Sequence, residues 1–222
     1  MTKPTENPTQ HTYEALQHAY DFFNEELFDG QLKNCLITLQ RKDKRSLGYF
    51  WFERFAEVKG KARTDEIAIN PQRFTTAPLR DVLSTLVHEQ VHLWQFHFGE
   101  ASRKGYHNKQ WGAKMKEVGL YPSNTGEPGG KETGQQMTHY IIEGGAFDKA
   151  CKKLLSKKFM LKWGEIIDHT SDEGDDEGDK KEKNKTNRVK YTCPSCGTNV
   201  WGKPELSVMC GECQVPFQPE EE

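Results

Sequence analysis

The stretch from Leu79 to Trp94 places more limits on this chain than any other. Leu79, Val82, Leu83, Leu86 and Leu93 recur at spacings of three, four and seven, which marks one apolar stripe of a helix. Pro78 suits the first turn, where a missing N–H costs little, and Gly99 is a stop. Inside the helix lies His88-Glu89-Gln90-Val91-His92. Residues four apart sit about 40° apart around a helix and about one turn apart along it. The two imidazoles therefore face one ion from the same side. Glu89 projects beside it, placed to take a proton from a water. This is the zinc metallopeptidase pattern. Three fixed positions also coincide by chance, and the amphipathic helix around them is what gives the metal reading its weight.

A catalytic zinc takes three protein ligands and keeps one position open. His97 stands about 180° around the helix from His88 and reads as an ordinary half-exposed histidine. Gln95 and Phe98 occupy the places where the metzincin pattern needs Gly and His, which excludes that class. Glu117, on a later helix, is what a gluzincin would use. His107 is the preferred candidate: 14 residues separate it from His92, enough to turn the chain back, and it starts the next helix. Its alternative role is to cap that helix.

A chain of 222 residues allows one domain with an appendage or two small ones. Its 34% hydrophobic content against 29% charged is low for one continuous core, so part of the chain is expected to be unpacked. No apolar run approaches the ~18 residues of a membrane span, and the first residues lack a signal core. An intracellular, cytoplasmic protein without membrane contact is expected, where paired cysteines mean metal more often than disulfide.

Residues 1 to 11 read as loose. Thr12 is the expected cap of a helix whose stripe is Tyr13, Leu16, Tyr20, Phe23 and Leu27, ended by Asp29-Gly30. Strands are predicted over 35–40, 47–58 and 66–70, with a charged turn at 41–45. After the metal helix come a helix with Trp111, Met115 and Val118 on its apolar face, a loop over 122–135, a short strand over 137–142 and a last helix carrying Phe147, Cys151, Leu154 and Leu155. This order predicts an α+β domain with a small antiparallel sheet. Cys35 and Cys151 read as core residues. His11, His18, His139 and His169 read as ordinary histidines, with His139, beside Tyr140, a candidate for the cleft's edge.

Composition then changes. Ser171 to Asp179 is nearly all acid and glycine, and Lys180, Lys181, Lys183, Lys185, Arg188 and Lys190 make the next block basic. Residues 170–190 are predicted to be a flexible linker spanning roughly 25 Å. Cys193, Cys196, Cys210 and Cys213 then form two Cys-x-x-Cys knuckles separated by 13 residues. Four thiolates suit a closed tetrahedral zinc site, and a module this small needs the metal to fold. A hairpin of 200–201 with 207–209 is expected inside it. The predicted organisation is a domain over 1–169, the linker over 170–190 and a zinc ribbon over 191–218.

His88-Glu89-x-x-His92, a polar connection, Gly105-Tyr106-His107, Trp111 and Gly119-Leu120 together resemble the SprT-like family, which includes the Spartan proteases. Leu27-Phe28-Asp29-Gly30-x-Leu32, Leu47-Gly48 and the four-Cys module are also similar. The resemblance covers roughly residues 12–120 and 191–217. It implies a zincin-like fold, His107 as third ligand, and cleavage of DNA-associated proteins. The resulting expectation is a monomeric zinc endopeptidase with one catalytic and one structural zinc. Glu89 is its general base, and DNA is bound through the basic linker, Trp201 and Lys203. The competing readings are a DNA-binding protein that keeps the scaffold without turnover, against which the intact Glu89 argues, and a peptidase trimming small peptides.

Overall fold

In the computed structural model, which describes residues 7–40, 47–103, 105–166 and 189–219, the first helix begins earlier than its sequence predicts. Helix α1 (Pro8–Phe28) is capped by Asn7, whose side chain accepts from the Gln10 N–H. Pro8 sits in the first turn, where no intrahelical donor is needed. Thr12, the expected cap, lies one turn inside and donates its hydroxyl to the Pro8 carbonyl at 2.8 Å. The buried stripe runs through Leu16, Ala19, Tyr20, Phe23 and Phe28, leaving Tyr13 exposed. Asp29 ends the helix in the left-handed region. Asn24 then clasps Leu32 twice, accepting its N–H at 3.0 Å and donating to its carbonyl at 3.2 Å.

Strands β1 (Leu36–Leu39), β2 (Gly48–Ala56) and β3 (Arg63–Ile69) form a sheet of order β1-β3-β2. The α+β class holds, but the sheet is mixed rather than antiparallel: β3 is antiparallel to β2 and parallel to β1. The central place falls to β3 because its Ile67, Ala68 and Ile69 are fully apolar and covered on both faces. That leaves β2 as an edge. The expected charged turn at 41–45 lies outside the described residues. Between Trp51 and Phe55 the pairing of β2 with β3 shifts register. There Glu53 takes a positive φ of 44° and donates its N–H to Asp65 Oδ1 at 2.7 Å.

After a single helical turn, α2 (Arg73–Thr76), comes α3 (Leu79–Phe98), flanked by Pro78 and Gly99 as expected. It is more deeply enclosed than one stripe would suggest, since every residue from Val82 to Val91 is buried. The polar members are satisfied inside the fold. Ser84 and Thr85 donate to the Asp81 carbonyl, and Gln90 donates to the Tyr20 carbonyl of α1 at 2.9 Å. Helix α4 (Lys109–Glu117) follows, then the hairpin β4 (Leu120–Ser123) and β5 (Thr138–Ile141), then α5 (Ala146–Ser156). The core joins α1, β1, β3, α3, α4 and α5 around Phe23, Leu83, Leu86, Trp111 and Phe147.

The chain divides into two compact units, Met1–Asp168 and His169–Glu222. The second contains β6 (Val189–Thr192), β7 (Asn199–Gly202) and β8 (Gln218–Pro219), with β6 in the middle. The hairpin of the ribbon is thus β6–β7 rather than 200–201 with 207–209. Val189 and Lys190, assigned by sequence to the linker, belong to β6, where Lys190 pairs with Trp201. Most of the linker lies outside the described residues. Among the described residues no helix is long and apolar enough to cross a membrane.

Gly119 turns α4 into β4 at φ +90°, and a Cβ there would meet the backbone nitrogens of Phe147 at 2.6 Å and Ala146 at 2.8 Å. Gly144 has φ +71° but open space around it. Left-handed backbone alone costs an L-residue about 1–2 kcal/mol. Gly119→Ala should therefore lower the urea midpoint clearly more than Gly144→Ala, and equal shifts would show that α5 yields freely.

Candidate metal centres

Helix α3 delivers His88, Glu89 and His92 to the interior, and the segment just before α4 delivers His107. Sequence places His107 on the helix, but Asn108 is the cap, accepting the Trp111 N–H at 3.0 Å. His107 instead pairs with Gly134 through two backbone hydrogen bonds, of 2.8 and 3.1 Å. Its Nδ1 also lies 3.1 Å from the Gly134 carbonyl. A carbonyl only accepts, so Nδ1 carries the proton and Nε2 keeps its lone pair.

That Nε2 lies 3.0 Å from His92 Nε2. One donor atom from each of His88, His92 and His107 falls within 4.8 Å of the others. Two nitrogens on a tetrahedral zinc, each ~2.0–2.1 Å from it, stand about 3.3 Å apart. The donor set therefore fits zinc. Trp111, fully buried, forms the floor: its ring centroid lies 5.1, 5.4 and 4.4 Å from those of His88, His92 and His107. Burial holds His88 well below the usual histidine range, with His92, His139 and His107 adding to the effect. It lowers His92 to about 3, aided by His107, and also lowers His107. All three are neutral near pH 7, the form that binds metal.

Glu89 is buried beside the edge strand, and burial pushes its carboxyl up to about 8, opposed by a hydrogen bond from the Phe50 N–H of β2. A cation beside it would act in the opposite direction. Gly48 makes the approach of β2 possible, because a Cβ there would stand 2.8 Å from the Ala68 carbonyl oxygen, 3.1 Å from Thr85 and 3.4 Å from Glu89 Oε1.

The rival ligands are elsewhere. Glu117 is exposed and accepts from Lys114 Nζ at 2.6 Å. His97 pairs with buried Asp65 at 2.6 Å, so the same carboxylate holds the β2 bulge and the end of α3. A fourth imidazole is present, which sequence placed no closer than the cleft's edge: His139 on β5, with Nδ1 3.0 Å from His88 Nδ1 and Nε2 2.9 Å from Ser84 Oγ. Burial lowers it to about 4. Only its neighbour Tyr140 hinted at this, since a β-hairpin partner is chosen by tertiary pairing. Cys151 is buried and Cys35 half-buried. His169 lies outside the described residues.

The second cluster gathers Cys193, Cys196, Cys210 and Cys213. The two knuckles repeat one design. Gly197 N–H donates to the Cys193 carbonyl and Gln214 N–H to the Cys210 carbonyl, each at 2.9 Å. Gly197 and Gln214 both take positive φ. Cys196 and Cys210 sulfurs are 3.8 Å apart, the separation of two thiolates ~2.3 Å from one tetrahedral zinc and far beyond a disulfide bond of about 2.05 Å. Hydrogen bonds from the Thr198 hydroxyl and backbone bring the Cys196 thiol down to about 6.

The sequence model of the SprT-like family matches residues 16–129. The chain belongs to the SprT-like family. A relative from Salmonella typhimurium, described as an uncharacterized protein in the mucB 3' region, is 55% identical over 60 residues, which is 27% of this chain and 80% of that protein. No solved structure matches. Membership makes the first unit a metalloprotease-type domain. The SprT-like match runs from Leu16 in α1 into the loop after β4, so it contains His88, Glu89, His92 and His107 but not His139 or the four knuckle cysteines.

Purified protein is expected to hold two zinc ions per chain. His107→Ala should release one while Glu117→Ala keeps both. Metal analysis showing two ions in the His107 variant would remove it from the ligand set.

Proposed function

We propose that this SprT-like chain is a zinc-dependent endopeptidase, with one catalytic zinc at His88, His92 and His107 and one structural zinc at the four cysteines. Its preferred substrates are proteins bound or crosslinked to DNA. The observation that carries the reading is the convergence of three neutral imidazoles beside a buried carboxylate and an edge strand.

A zinc ion in such a site acts as a Lewis acid and lowers the pKa of water to about 7. The protein's own groups do the rest. Glu89 takes the proton as water attacks the scissile carbonyl and returns it to the leaving amine. The Phe50 N–H orients that carboxylate from β2. As an edge, β2 can pair with an extended substrate by β-augmentation, which places a peptide next to Glu89.

DNA binding is assigned to the second unit, through the basic run at 180–190 and the zinc ribbon that follows it. Trp201 on β7 is 62% exposed, and an exposed aromatic beside lysines can stack on an unpaired base. No recognition helix is described there, so binding should be largely independent of sequence, and the acidic block at Asp172–Asp179 should moderate it.

Casein or histone cleavage with and without DNA tests this reading. Glu89→Gln should reduce cleavage by about 10²-fold or more with zinc content and fold unchanged. Near-wild-type cleavage would leave a DNA-binding protein without turnover as the better description. Affinity for single-stranded and duplex DNA should fall steeply as salt rises, since each phosphate contact releases counterions. Truncation after Thr170 should abolish most of it, and undiminished binding would move the surface to the first unit.

A further inference from the structure

His88 and His107 have their Nδ1 atoms held in different ways. His107 faces a carbonyl, which can only accept. His88 faces another imidazole, which can accept or donate. Its partner, His139, continues the contact: His139 Nε2 lies 2.9 Å from Ser84 Oγ, and Ser84 donates to the Asp81 carbonyl at 2.8 Å. Ser84 is one turn before His88 on the same face of α3, and both are buried. Asp81, Ser84, His139 and His88 thus form a hydrogen-bonded row ending at the first ligand.

The row can run in two directions. If Ser84 donated to His139, then His139 Nδ1 would donate to His88 Nδ1, and His88 would carry its proton on Nε2, where no metal could bind. With the Ser84 hydroxyl committed to the Asp81 carbonyl, Ser84 Oγ accepts from His139 Nε2. His139 Nδ1 is then an acceptor, and His88 donates to it from Nδ1. Only this direction leaves His88 Nε2 with a free lone pair.

We propose that His139 is a positioning residue for the catalytic metal centre: it accepts the Nδ1 proton of His88 and so fixes the ring and tautomer that leave Nε2 for the ion. The inference rests on the reading of His88, His92 and His107 as metal ligands. Groups that orient ligating histidines in this way typically contribute about 10–100-fold to metal affinity.

The test uses the full chain and zinc competition against a chromophoric chelator, with the cysteine site as internal reference. His139→Leu should weaken the histidine site by about 10–100-fold and leave the cysteine site unchanged. His139→Asn, which keeps an acceptor near the position of Nδ1, should recover most of the loss. Wild-type affinity in the Leu variant, or equal weakness in Asn and Leu, would overturn the proposal. A measurement on the unaltered protein guards against a variant that does not fold. Long-range ¹H–¹⁵N correlation of the zinc-loaded chain should show His139 protonated on Nε2 and His88 on Nδ1, and a proton on His139 Nδ1 would overturn it equally. If His88→Ala leaves both zinc ions bound, the metalloprotease reading falls and takes this inference with it. If only the His139 results fail, that reading stands and His139 is a packing residue.

Discussion

Taking the polar side chains of α3 out of water is the constraint on which the first unit depends. Burying an unpartnered polar group costs roughly 1–3 kcal/mol in a protein, and this helix buries Ser84, Thr85, His88, Glu89, Gln90 and Gln95. Elements that look unrelated in sequence are arranged to meet that cost. Helix α1 offers the Tyr20 carbonyl to Gln90, β2 offers the Phe50 N–H to Glu89, and β5 offers His139 to His88. The Gly134 carbonyl does the same for His107. The apolar groups, Trp111 above all, exclude water and keep the imidazoles neutral. Burial that would be a liability in an ordinary core keeps these imidazoles neutral, the form that binds metal.

The edge strand is held as firmly as the helix. Asp65 accepts the Glu53 N–H at the β2 bulge and pairs with His97 on α3. Phe52 stacks on Phe96 of the helix, with ring centroids 4.7 Å apart and planes within 15°. Bulges re-aim a strand locally, and this one lies a few residues beyond Phe50, the residue that touches Glu89. The edge strand and the helix that carries His88, Glu89 and His92 are therefore locked in register.

The second unit solves the opposite problem. Among its described residues few are buried, with Tyr191, Cys193 and Cys210 the apolar ones below one-tenth exposed. Tyr191 is pinned through its hydroxyl, which donates to the Lys203 carbonyl and accepts the Leu206 N–H. So small a core supplies little hydrophobic stabilisation. The matched knuckles, each with a left-handed residue just after its second cysteine, bring the four sulfurs to metal-binding separation, where a bound metal would supply what the core lacks.

The helix of His88 and His92 was legible in sequence because the spacing is local: four residues fix two imidazoles on one face of any α-helix. The cysteine knuckles were legible for the same reason, as were Pro78, Gly99 and the α+β order. Helix bounds failed where a local cap competed, with Asn7 displacing Thr12 and Asn108 displacing His107. The parallel pairing of β1 with β3, the edge position of β2, the pairing of His107 with Gly134 and the contact of His139 with His88 were decided only by tertiary structure. Each depends on which segments distant in the chain come to lie side by side, and periodicity within a segment carries no information about that. By itself the sequence determined the candidate metal-binding cluster that α3 carries. Packing decided which groups surround it, because the desolvated helix accepts only neighbours that satisfy its polar atoms.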